Sequence, residues 1–239
     1  MNKKRVVITG MGALTPVGNS VDEYWKNLIK GESGAANITK FDTALFKTQF
    51  ACEVKNFDPL DIMDRKEARK LDLFSIYALA TADEAILDSK LDLEKVNLDR
   101  AGVVWGSGIG GMGTFQEECF NFKDGDGSPR FNPFFVPKMI VDIAAGHISI
   151  KHGLRGPNYV TVSACASSTN AIIDALMLIQ LGKSDFIVTG GSEAGVNIAG
   201  IGGFNALKAL STRNDSPKLR QGHLIQLEMV LYLGKGQAA

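Results

Sequence analysis

Cysteine is scarce in this chain and histidine equally so, with three of each among 239 residues. The cysteines, Cys52, Cys119 and Cys165, stand far apart. No Cys-x-x-Cys pair and no mixed cysteine and histidine cluster offers metal-ligand spacing, and an odd, uneven set does not read as a disulfide framework. Neither a metal nor a cofactor is expected. Such cysteine usage suits a reducing compartment, and a cytoplasmic location is expected. Excess charge of either sign is missing too, since 26 acidic side chains balance 26 basic ones. That removes any global pull toward nucleic acid or an acidic membrane surface. Long apolar runs are also lacking. The stretch from Val6 to Leu14 behind the basic residues Lys3, Lys4 and Arg5 is interrupted by Gly10 and Gly12 and followed by Pro16. It reads as a strand and turn rather than a secretory leader. Nothing approaches the roughly 20 apolar residues of a membrane span.

What is present is ample material for a core, with 45% of the residues hydrophobic. Val6 to Thr9 is a continuous apolar run ending at Gly10, the pattern of a buried strand. Ser20 and Glu23 form a capping box, which opens a helix through Trp25 and Leu28 to a stop at Gly31. Apolar residues at helical spacing predict a second helix over Asp72 to Ser89. Further strands are expected at Val103 to Trp105, Tyr159 to Val162 and Phe186 to Val188. Between the last two, Ala166 to Leu181 is apolar on nearly every side, as in a helix buried within a protein. Strands alternating with helices imply an α/β fold. Lys123 to Ser128 is a polar loop too brief to separate domains.

Cys165 falls between the strand-like Val160-Thr161-Val162 and the apolar helix. A thiol there emerges at a helix N-terminus, where free N–H groups and the positive dipole end favour the thiolate. The same N–H groups can bind the oxyanion of a tetrahedral acyl intermediate. Cys52 and Cys119 have no such setting and read as structural. Gly106-Ser-Gly-Ile-Gly-Gly satisfies the dinucleotide fingerprint after a strand, but it lies late in the chain with no acidic residue closing a following strand. The run Arg65, Lys66, Glu67, Ala68, Arg69, Lys70 puts like charges one helical turn apart. It is either a docking face for an acidic partner or a solvated surface.

The segment Val162-Ser163-Ala164-Cys165-Ala166-Ser167-Ser168 resembles the nucleophile motif of the beta-ketoacyl synthases, which have the thiolase fold. Five other segments are similar to the same family, in its order and spacing. They are Arg5 to Gly12 with Thr15 to Gly18, Gly106 to Gly111, Asn132 to Pro137, Gly153 to Pro157 and Ala209 to Asn214. The resemblance runs from residue 5 to about residue 217. It implies a thiolase-like α/β fold with α-β-α-β-α layers, of which only the first repeat is complete here. It also implies an acyl-cysteine at Cys165 and condensation with malonyl carrier protein. By the same resemblance Ile109 and Phe204 line the acyl pocket, while Arg65, Lys66, Arg69 and Lys70 help dock acyl carrier protein. A homodimer is expected, without nucleic acid or membrane. The family's two catalytic histidines, its lysine and a glycine-rich oxyanion loop belong to the C-terminal half, and His147, His152 and His223 do not match them.

From Leu219 to Ala239 the chain resembles nothing in the family. Codons can be chosen for Arg220 through Ala238 whose shifted frame reads, in one-letter code, TARPFDTIRDGFVLGEGAG. That is very close to what the family carries after its Ser-Thr-Arg-Asn segment. The expectation is therefore a family domain over 1–218 and a frameshifted tail over 219–239. Three functions compete: an elongating synthase cut short and impaired, an inert fragment, and a non-catalytic carrier-protein-binding subunit. Cys165 argues against the last, since such subunits lack the cysteine.

Overall fold

The computed structural model describes residues 4–215 and, as backbone, 228–235. The expected tail therefore lies outside the described residues except for one strand. In chain order the elements begin β1 (Val6–Leu14), α1 (Val21–Ile29), β2 (Ala35–Asn37), β3 (Phe50–Cys52), α2 (Arg65–Ala68) and α3 (Leu73–Asp88). They continue through β4 (Ala101–Gly106), α4 (Met112–Asp124), α5 (Phe135–Met139), α6 (Ile143–His152), β5 (Asn158–Thr161) and α7 (Ser167–Gln180). The last three are β6 (Phe186–Gly191), α8 (Ile198–Ala206) and β7 (Glu228–Lys235). The main sheet has the order β1-β7-β6-β4-β5, while β2 and β3 pair separately. The strands β5, β4 and β6 are parallel, and β7 is antiparallel to both β6 and β1.

Alternation along the central strands sorts their side chains onto two faces. Val103, Trp105 and Val188 pack with α3 and α6 through Phe74, Ala78, Ala82 and Ile148. Val104 and Ile187 point the other way and pack with Ala171, Ala175 and Ile179 of α7. The result is a helix layer on each side of one sheet. Each fully buried large side chain among these contributes about 1.5–3 kcal/mol. Trp105 keeps its polar edge satisfied, because its indole N–H donates to Ser192 Oγ at 2.9 Å.

Local signals account for most boundaries. The Asp72 carboxylate accepts the Phe74 N–H and caps α3. Ser20 accepts the Glu23 N–H at 3.2 Å and opens α1, which stops at the left-handed Gly31. Gly10 and Gly12 let α3 lie close on β1, since side chains there would meet the Ala85 and Thr81 carbonyl oxygens. Two expectations change. The strand predicted over Val6 to Thr9 runs on to Leu14, and it is not buried throughout: β1 is a sheet edge with Ile8 53% exposed. The helix predicted over Ala166 to Leu181 begins at Ser167, after a single 3-10 turn over Ala164–Ala166. Only one of its faces is buried, and Ile173, Leu176 and Met177 are exposed. Apolar periodicity did not separate these faces because the open one is also apolar. Among the described residues no helix is long and apolar enough to cross a membrane.

Candidate active site

Strand β5 delivers the chain into a sharp turn that carries Cys165, and α7 starts two residues later. Ala164 takes φ +51°, a left-handed conformation that a residue with a Cβ adopts at a cost of about 1–3 kcal/mol. The turn is held by side chains from both ends. Ser167 Oγ donates to the Ala164 carbonyl at 2.7 Å and accepts the Ser163 N–H at 2.9 Å. Asn170 donates to Ser163 Oγ at 2.6 Å, and Thr161 donates to the Ser167 carbonyl at 2.8 Å. Cys165 is exposed at this turn, whereas Cys52 is buried and Cys119 half-buried. Burial pushes the Cys52 thiol up, with Lys55 opposing it only in part.

Glycine lets the turn sit on the sheet. A side chain at Gly106 would come within 2.5 Å of the Ser167 carbonyl carbon and the Ser168 nitrogen, and one at Gly191 would overlap Ser168 Oγ. The C-terminal ends of β4 and β6 are thus bare where the first turn of α7 crosses them. Cys165 is thereby raised above the sheet's carboxyl edge, where open α/β sheets carry their sites.

The loop that follows β4 stands beside this turn. A side chain at Gly108 would lie 3.5 Å from the Ala164 carbonyl oxygen. Glu193, just past the end of β6, accepts the Gly108 N–H, the Ile109 N–H at 3.2 Å and the Ser107 hydroxyl at 3.2 Å. Burial pushes the Glu193 carboxyl up, Asp72 adds to the rise, and the donors from Gly108, Ile109 and Ser107 oppose it. The Gly110 N–H goes to Ser107 Oγ and the Gly111 N–H to the Met139 carbonyl. The amides a dinucleotide pyrophosphate would need are therefore engaged within the chain, and these glycines serve close packing. A Gly111 side chain would overlap the Lys138 carbonyl.

Ile109 is 42% exposed on this loop, beside the cysteine turn. Phe204 lies half-buried on α8, whose Ile201 belongs to a different cluster with Ile38, Ala51 and Val196. The basic residues form a separate group. α2 is only four residues long, but Arg69 continues its turn by donating to the Arg65 carbonyl. Arg65, Lys66 and Arg69 are exposed. Lys70 is not a free cation: it pairs with Glu67 and lies 6.0 Å from the Phe134 ring centroid. His152 bonds Asp83 at 2.9 Å, which ties α6 to α3. Glu193 and Asn170 carried no signal in the motifs, and Ser167 stood in the nucleophile motif without its role in holding the turn. An acid directly behind the strand end Gly190-Gly191 was the signal available for Glu193.

The beta-ketoacyl synthase N-terminal domain model matches residues 3–221. The chain belongs to the beta-ketoacyl synthase family. It is 48% identical over 212 residues to 3-oxoacyl-[acyl-carrier-protein] synthase 2 of Staphylococcus aureus, covering 89% of this chain and 51% of that protein. The enzyme of the same name from Synechocystis sp. is 42% identical over 217 residues, covering 91% of this chain and 52% of the relative. The chain thus spans about half the length of the curated relatives it matches. Among solved structures, a beta-ketoacyl synthase from Burkholderia phymatum superposes with a TM-score of 0.86 at 28% identity, over 98% of this chain and 59% of that one. The ishigamide ketosynthase/chain length factor gives 0.84 at 26%, again over 98% of this chain and 59% of that one. The fold is the thiolase-like α/β arrangement of these ketosynthases, represented by part of it. The Cys165 turn and the loop from Gly106 to Gly111 both lie within the synthase domain.

Proposed function

We propose that this synthase domain carries the nucleophile of a fatty-acid elongating beta-ketoacyl-acyl-carrier-protein synthase, and that Cys165 accepts the acyl chain. The observation that carries the reading is the exposed Cys165 on a strained turn at the head of α7. In the first step the thiolate attacks the carbonyl carbon of an acyl thioester on carrier protein. The new Sγ–C bond forms as the carrier thiol leaves and takes up a proton. The Ala166 and Ser167 N–H groups already donate to the Ser163 and Ala164 carbonyls, so the transient oxyanion is assigned to the Cys165 N–H together with the glycine-rich loop of the family's C-terminal half. In the second step malonyl carrier protein loses carbon dioxide, and its carbanion attacks the acyl-cysteine carbonyl. A carbon–carbon bond forms and the Cys165 thiolate is released, so the difficult condensation is split into two easier steps. Ile109 and Phe204 are proposed to contact the acyl chain. Arg65, Lys66 and Arg69 are proposed to meet an acidic carrier protein, with Lys70 contributing less because Glu67 already engages it. A homodimer in the cytoplasm completes the reading.

The test is intact-mass measurement after mixing with an acyl carrier protein loaded with a saturated chain. A mass gain of one acyl group that Cys165→Ala abolishes is expected. A gain that survives this substitution, or moves to Cys119, would overturn the assignment.

A further inference from the structure

The role of Glu193 is not accounted for by the acyl transfer itself. Its carboxylate sits behind the carboxyl ends of β4 and β6 and gathers three donors from consecutive residues, Ser107, Gly108 and Ile109. Gly108 in turn faces Ala164, the residue before Cys165. Ser107 is 1% exposed and also accepts the Gly110 N–H, which closes the loop on itself. The apolar Ile109 side chain projects from the pinned segment, 42% exposed.

We propose that Glu193 is a positioning residue that fixes the loop from Ser107 to Gly110 as a wall beside Cys165, and that it thereby sets preference for long acyl chains over short ones. The proposal rests on the reading of Cys165 as the acyl acceptor. A wall matters to a chain long enough to lie against it. An acetyl group is complete within a bond or two of the sulfur and does not reach it. Loosening the backbone of such a wall by a fraction of an ångström is enough to cost a long chain its productive placement, while leaving the thiol chemistry intact.

The experiment compares acylation of Cys165 by dodecanoyl and acetyl thioesters of pantetheine, read by intact mass over time, and takes the ratio of the two rates. A defect in folding lowers both rates together and leaves the ratio alone. Glu193→Ala removes all three acceptor contacts and is expected to lower the ratio about tenfold, on the scale of a small misplacement at a reacting centre. Glu193→Gln keeps an acceptor oxygen toward the Gly108 and Ile109 amides and is expected to stay within about threefold of the parent, the size of a lost charge-assisted contribution. Ser107→Ala leaves the Glu193 carboxylate in place but removes its hydroxyl donor and the acceptor of the Gly110 N–H, and should shift the ratio in the same direction if the first variant does not fold. A parent protein acylated on Cys165, with unchanged ratios in Glu193→Ala and Ser107→Ala, overturns the positioning role alone. A parent that takes no acyl group on Cys165 overturns both readings.

Discussion

At the scale of single residues, three cysteines of one chain differ in access and surroundings. Cys165 is exposed, Cys119 half-buried and Cys52 buried with its thiol pushed up by desolvation. Iodoacetamide is therefore expected to label Cys165 first and Cys52 last, which peptide mass spectrometry after timed quenching would read. Preferential labelling of Cys52 would contradict the burial described. The glycines beneath the cysteine turn make a second case. Gly106 faces backbone atoms of Ser167 and Ser168 rather than a movable side-chain tip. Gly106→Ala should cost about 1–3 kcal/mol of stability by overpacking. Urea unfolding would measure that loss, and the Cys165 labelling rate should change with it because α7 must shift.

At the scale of elements, Asp72 joins two helices. One carboxylate oxygen caps α3 through Phe74, and the other accepts both the N–H and the hydroxyl of Thr114 in α4, at 3.0 and 2.6 Å. Asp72→Ala removes the cap and strands two buried donors, so a loss of about 2–4 kcal/mol is expected from urea unfolding. Asp72→Asn, which retains an acceptor, should lose less. Helix α6 supplies a pH-dependent case. Burial lowers the pKa of His147; Glu67 of α2 opposes that shift, and Lys70, just beyond α2, reinforces it. The sign follows from which state binds the proton first. The unfolded chain protonates near an ordinary value of about 6.5 and the folded chain only below it. The contribution of neutral His147 is complete above about pH 6.5 and is lost as pH falls toward its folded value. His147→Gln should therefore flatten the fall in unfolding free energy between about pH 7 and 5 relative to the parent. A parallel fall in both proteins would remove His147 as its source.

At the scale of the whole molecule, α7 presents two apolar faces and the sheet covers one. Ile173 and Met177 are each 46% exposed and Leu181 is 72% exposed, near the partly open edge strand β5. Each large side chain left in water forgoes about 1.5–3 kcal/mol, and contiguous apolar surface drives association. The 239-residue chain is expected to bind a hydrophobic dye and to sediment as a concentration-dependent species. Replacing both Ile173 and Met177 with Lys should weaken both signals. A monomeric parent that binds no dye would contradict this. The strand β7 is the other feature of this scale. It belongs to the segment set apart from the family by residue comparison, yet its backbone occupies the slot between β1 and β6. An uninterrupted apolar run such as Met229 to Leu233 suits a strand flanked on both sides.

Elements whose signals are local were legible from the residues. Helix α3 carries its own cap and period, β4 and β6 are short apolar runs ending in glycine, and the Cys165 motif sits between a strand and a helix. The helices α4, α5, α6 and α8 were not, because their apolar stripes are weak or, in α8, interrupted by Gly200, Gly202 and Gly203. Glycine disfavours helix in isolation, and contacts elsewhere in the fold must compensate. The nucleophile was therefore set by sequence, since a strand-to-helix turn is specified by neighbours along the chain. Its surroundings were set by tertiary structure. Glu193 meets Gly108 across 85 residues of chain, and only the parallel pairing of β4 with β6 carries both to the same sheet edge. Contacts made by closing so long a loop leave no periodic trace in sequence, because the pairing register, and not local propensity, decides which side chains meet.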